Sequence, residues 1–110
     1  MTTSQEYHVA AAILQRADGT VLLLQRSSER PTDPDKWCFV TGYVESGEAP
    51  REAAIRELAE EVGIEGLEPA RSGELVTVSR GEETLYIHPF LFRVPDDPQL
   101  QIDREHQRYI

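Results

Sequence analysis

The chain has 110 residues, enough for one domain with a single core and too few for two. With 39% hydrophobic and 28% charged residues it has a globular composition, which excludes a disordered or fibrous chain. Its 20 acidic against 11 basic residues give a formal net charge of -9, which repels phosphate backbones and argues against polymeric DNA or RNA as a partner.

A small phosphorylated substrate stays admissible if cations neutralise it within a site. Cys38 is the only cysteine, so no internal disulfide forms; it sits in the apolar run 37–40, where a buried structural thiol is expected. Glu6 and His8 interrupt the N-terminal stretch, no basic segment precedes it, and no apolar run approaches membrane-spanning length. The expectation is a soluble, cytoplasmic protein without a membrane partner.

In chain order, residues 7–15 are apolar on both alternating faces, which predicts a strand covered on both sides. Asp18-Gly19 signals a turn, with 21–25 as the return strand of a hairpin. The stretch 27–36 carries Pro31 and Pro34 and reads as a loop; a short strand over 37–40 and a Gly-containing loop through Glu48 follow. Pro50 suits a first helical position and Gly63 a stop, which frames a helix over 50–62. Strands over 73–79 and 84–94 meet at a turn at Arg80-Gly81, and the remainder is a loop and a short polar end. One strong helix among strands predicts an α+β, or mixed α/β, domain spanning 1–110.

On that helix Glu57, Glu60 and Glu61 stand at i, i+3 and i+4, which puts three carboxylates on one face. Ile55, Leu58 and Val62 form an apolar stripe about 140° round the axis at 100° per residue. Like charges at these spacings repel by a few tenths of a kcal/mol per pair, roughly, and a hard divalent cation would remove the repulsion. Oxygen-only ligands favour Mg²⁺, with Mn²⁺ a workable substitute. Taken alone, the three glutamates read equally as a solvated face of an acidic protein.

The wider stretch GYVESGEAPREAAIRELAEEVGI changes that balance. Gly42, Glu48, Arg56, Glu57, Leu58, Glu60, Glu61, Gly63 and Ile64 resemble the signature of the Nudix (MutT-like) hydrolases at every constrained position. A chance match in a chain this short is rarer than roughly one in a million. The opening hairpin, the tryptophan before the box and the two strands after the helix also follow the family order.

The resemblance implies an α/β/α sandwich with a mixed sheet and metal-dependent hydrolysis of a pyrophosphate bond, in a nucleoside-diphosphate-linked or a nucleoside or pterin triphosphate substrate, by water attack on phosphorus. Glu57, Glu60 and Glu61 would be metal ligands, with one as general base, and the carbonyl of Thr41 a further ligand. Arg56 would hold Glu57 in place, Gly42 would allow a tight backbone turn beside the metals, Glu48 would brace the loop or bind a further metal through water, and Gly63 would end the helix. Glu105, near the C-terminus, would complete the metal site or act as base. His8, His88 and His106 show no metal-ligand spacing; packing or pocket lining is expected of the first two.

The stretch 37–48 looks most like the dihydroneopterin triphosphate and nucleoside triphosphate pyrophosphohydrolases. Trp37, Tyr86 and Phe90 would stack on a base or pterin, with core packing as the plainer alternative, and Arg26 is a candidate phosphate contact. A catalytically silent module that senses a nucleotide is the competing function. Members of the family run on past the final strand into another helix, whereas this chain stops at Ile110, about where that strand should begin. The helix is therefore expected to be absent, as in a short or truncated member, which leaves a sheet face open and favours a homodimer through it.

Overall fold

The computed structural model describes residues 5–31, 33–94, 100 and the backbone of 106–109. Strand β1 (Gln5–Gln15) is the centre of the architecture because both of its faces are apolar. It pairs in parallel with β7 (Glu83–Arg93) along its whole length and antiparallel with β4 (Val40–Tyr43). Strands β5 (Arg71–Ser72) and β6 (Val76–Arg80) add antiparallel to β7 and complete a mixed five-stranded sheet. A second, three-stranded sheet runs β3-β2-β8, from β3 (Trp37–Cys38), β2 (Leu24–Arg26) and β8 (His106–Tyr109).

Helix α1 (Pro50–Val62) packs on β1 and β4. Pro50 opens it, the backbone N–H of Ala49 donates to the Glu52 carboxylate, and Gly63 closes it in the left-handed region at φ 76°. Ala10 and Ala12 of β1 and Ala53 and Ala54 of α1 are buried, and such small side chains permit a close approach of helix and sheet. Around them Leu14, Leu24, Val40, Leu58, Val62, Phe90 and Phe92 fill one core. Truncating Leu58 to alanine there would cost about 2–5 kcal/mol.

The α+β class and the helix bounds agree with expectation; several strands do not. The turn at Asp18-Gly19 exists, but the return strand bridges β1 only at Val21 and then joins the second sheet as β2. The strand expected over 37–40 divides at Phe39, with β3 in the small sheet and β4 in the large one. The strand expected over 73–79 forms only over β6, and β5 lies just before its expected start. The short polar end expected after the last strand instead supplies β8, whose backbone pairs with β2. Polar composition concealed it, because an edge strand paired on one side needs no apolar run.

Glutamates on the helix also differ from a solvated face. Glu61 is 2% exposed and shares the buried side of α1 with Ala54 and Leu58, so the predicted stripe is rotated toward it. Among the described residues no helix other than α1 is present, and none is long and apolar enough to cross a membrane. The sheet face away from α1 carries Val76 and Val78 exposed on β6.

Candidate active site

The site is built where α1 crosses the end of β4. Alternation along β4 turns Val40 and Gly42 toward the helix. Glu57 lies directly over Gly42: a Cβ at position 42 would stand 2.1 Å from Glu57 Cδ and 2.2 Å from its Oε1. Glycine is required here by close approach, since no larger residue leaves room for the carboxylate.

Arg56 gathers the neighbouring acids. Its Nε donates to Glu48 Oε2 at 2.8 Å and its Nη2 to Glu48 Oε1 at 3.0 Å, a two-pronged pair. Nη1 donates to Glu57 Oε1 at 2.7 Å and to Glu60 Oε2 at 3.2 Å, while Nη2 also reaches the carbonyl of Tyr43 at 3.1 Å. One guanidinium thus ties the helix to the loop that precedes it. The Glu48 carboxylate also accepts from the backbone N–H of Glu45 at 3.0 Å. The bonds from Arg56, and after them the Glu45 N–H, pull the Glu48 carboxyl down to about 2. In return the bonds to Glu48, then those to Glu57, hold the guanidinium above its ordinary value despite partial burial.

The three helix carboxylates occupy different environments. Glu60 has a side chain 57% exposed, Glu57 only 13%, and Glu61 is buried. Glu61 Oε2 accepts no hydrogen bond from the described residues. As the side chains stand, no three His, Cys, Asp or Glu among the described residues form a group ready to hold a metal ion. The physical reason is visible for two of them: Glu57 and Glu60 are turned onto the Arg56 guanidinium. The donor set is nevertheless all oxygen, the chemistry that suits a hard divalent cation.

The other expected residues are dispersed. Arg26 ends β2 and approaches Cys38, whose half-buried thiol is raised by burial and partly offset by that arginine. Trp37 opens β3 and is 39% exposed, so it is not core. Phe90 is core. Thr41 lies on β4 beside Gly42, half-buried. Glu105 falls outside the described residues.

Tyr86, by contrast, is brought into a cluster that spacing did not reveal. Its ring stacks on His8 at 5.1 Å between centroids, its hydroxyl donates to Glu6 at 3.0 Å, and His8 Nδ1 faces His88 Nε2 at 2.9 Å. His8 and His88 line an open cleft of about 540 Å³ that also borders Glu45 and Glu48 of the box loop. Tyr7 and Tyr43 stand at its rim with their rings 5.7 Å apart. The sequence placed these residues on strands but held no signal for the β1–β7 register that joins them.

Comparison with known proteins agrees with this arrangement. The NUDIX domain profile matches residues 6–109. A CTP pyrophosphohydrolase of Escherichia coli is 40% identical over 106 residues, which span 93% of this chain and 72% of that protein. A dihydroneopterin triphosphate diphosphatase of Haemophilus influenzae is 46% identical over 57 residues, 52% of this chain and 34% of that protein. Among solved structures, the dihydroneopterin triphosphate pyrophosphohydrolase of E. coli superposes with a TM-score of 0.73 at 27% identity, covering 99% of this chain and 82% of that one. The chain therefore belongs to the Nudix family, as a hydrolase acting on phosphorus anhydrides.

Proposed function

We propose that the protein hydrolyses a pyrophosphate bond of a nucleoside or pterin triphosphate, with water attacking phosphorus and with Mg²⁺ as the natural ion and Mn²⁺ as a substitute. The observation that supports this reading most directly is the placement of Glu57 over Gly42 under the hold of Arg56. That geometry fixes one carboxylate against backbone, as a phosphate-handling site needs.

Glu57, Glu60 and Glu61, with the carbonyl of Thr41, are the oxygen donors that would hold the ion. When bound, such an ion supplies charge neutralisation on the phosphates and lowers the pKa of an attacking water. Arg56 orients Glu57, and Glu48 orients Arg56 through its two-pronged bond. One of the helix glutamates, or Glu105, takes the proton from the attacking water. Arg26 and Trp37, with Tyr86, are proposed to contact the substrate. The relatives' substrates, CTP and dihydroneopterin triphosphate, define the first compounds to try. The charge of -9 supports a free small molecule over a nucleic-acid polymer.

The test is a panel of nucleoside triphosphates, dihydroneopterin triphosphate and dinucleoside polyphosphates, each assayed with Mg²⁺ and with products identified by mass. Turnover of a triphosphate to a monophosphate and pyrophosphate is expected. Tight binding across the panel with no product would replace this reading with a silent sensing module.

A further inference from the structure

Outside the carboxylate set, the most unusual pairing in the molecule is that of two imidazoles. We propose that His8 and His88 form a binding site for one borderline transition-metal ion, of the class of Zn²⁺, Ni²⁺ or Cu²⁺, open to solvent and separate from the oxygen donors of α1.

Both histidines sit on the two strands at the middle of the large sheet, where the parallel register places His8 opposite Tyr86 and Ala10 opposite His88. The same pleat turns both rings to the face that carries Ala10 and Phe90. Their backbones are therefore fixed by strand pairing on a fully hydrogen-bonded ladder. His8 lies against the Tyr86 ring at 5.1 Å and meets the His88 ring edge to edge, with centroids 5.2 Å apart, and the bond from Tyr86 to Glu6 steadies that wall.

The ring nitrogens His8 Nδ1 and His88 Nε2 are 2.9 Å apart. With metal–nitrogen bonds of about 2.05 Å, two ligand nitrogens lie about 2.9 Å apart at the 90° of a square-planar or octahedral ion and about 3.3 Å apart at a tetrahedral one. The observed separation matches the first and needs an opening of about 0.4 Å for a tetrahedral Zn²⁺. In the metal-free pair one ring donates a hydrogen to the other. Binding moves that hydrogen to the far nitrogen of the same ring, and each ring must turn off the line between the two nitrogens so that both lone pairs meet at a common point. No electron is gained or lost.

Ligand chemistry separates the two sites. Imidazole prefers zinc, nickel and copper, whereas carboxylates and carbonyls prefer magnesium and manganese. His8 is exposed and both rings line the open cleft, so an ion can enter. Among the described residues no third His, Cys, Asp or Glu completes a cage, so water fills the remaining positions and the ion exchanges.

The experiment titrates the full chain with Zn²⁺ alone, in Mg²⁺-free buffer, by calorimetry and by nitrogen-15 NMR of the imidazoles. One equivalent is expected to bind, with the largest shifts at His8 Nδ1 and His88 Nε2. His8→Asn and His88→Asn should each weaken binding at least about tenfold. His106→Asn, which changes the third histidine of the chain, and the triple Glu57→Gln, Glu60→Gln, Glu61→Gln variant should both retain it. No binding, unmoved His8 and His88 resonances, or loss confined to the carboxylate variant would overturn the site. The NMR result is read in the unaltered protein, so it decides the matter even if a histidine variant folds poorly. Because Mg²⁺ is absent and turnover is not measured, a failure here leaves the pyrophosphohydrolase reading to its own test.

Discussion

Glu57 is laid against the backbone of Gly42 so closely that a single methyl group at position 42 would occupy the space of its carboxylate. The contact joins the one strand and the one helix that carry the family signature, and it sets where the first acid of the site stands. Arg56 then fixes that acid from the side, at 2.7 Å from Oε1.

Gly42→Ala should therefore displace Glu57 rather than unfold the domain. A fall in kcat of at least about tenfold is expected, in the range seen when groups that orient metal ligands are lost. Steady-state kinetics against thermal unfolding checks it. Unchanged kcat would mean that the Glu57 position is irrelevant to turnover.

Arg56→Lys keeps the charge but loses the fork that grips Glu48 twice and reaches Glu57 and Glu60. We expect kcat to drop about 10–100-fold with a smaller change in KM, because arginine acts on the acids and not on the substrate. An equal loss carried wholly by KM would point instead to a direct substrate contact.

The same pair gives a pH signature. The folded Glu48 carboxyl is held at about 2 against an ordinary 4.5, so its contribution to stability is complete above pH 4.5. It is lost as pH falls from 4.5 toward 2. Chemical denaturation across that window should show a steeper loss for the parent protein than for Glu48→Gln. Parallel curves for the two would remove the assigned role of the Arg56 bond.

Much of this site was legible in advance, and the reasons are local. Helix bounds follow from Pro50 and Gly63, and the shared face of Glu57, Glu60 and Glu61 follows from 3.6 residues per turn. What spacing could not supply was depth. Glu61 lies on the packed side because the helix presents Ala54 and Leu58 to the sheet, and a charged residue one turn on is carried in with them. Non-local pairing was equally silent. Strand β8 is polar and belongs to the second sheet, and the meeting of His8 with His88 depends on a parallel register between residues 80 apart. The division of residues 37–40 at Phe39 has the same origin, since an apolar run does not record which sheet each half will join.

Burial separates two acids that sequence treated alike. Glu60→Gln and Glu61→Gln are each expected to lower turnover at least about a hundredfold as metal ligands. Only Glu61→Gln should also move the melting temperature, because Glu61 is buried whereas the Glu60 side chain is 57% exposed. Calorimetry on both variants decides it. A shift in Glu60→Gln matching that in Glu61→Gln would contradict the burial argument.

Divalent ions should stabilise the protein through the helix acids. An ion that binds only the folded state raises stability by mass action, near 2.7 kcal/mol at about one hundred times its dissociation constant. In a domain this small that is several degrees, so thermal unfolding with and without millimolar Mg²⁺ suffices. Screening of the -9 charge imitates part of the effect, and NaCl at matched ionic strength removes that contribution. The reference variant is the triple change of Glu57, Glu60 and Glu61 to Gln. Charge repulsion alone would make its apo form at least as stable as the parent. The structure alters that expectation, because Arg56 already offsets part of the repulsion at Glu57 and Glu60, and the triple change removes its charge-assisted bonds. At Glu61 the change removes a buried charge. The apo variant should thus lie close to the parent, two opposed effects cancelling, while its Mg²⁺ response disappears. A triple variant that keeps the full divalent-specific shift places the ion elsewhere and returns the acidic face of α1 to a packing role around Arg56.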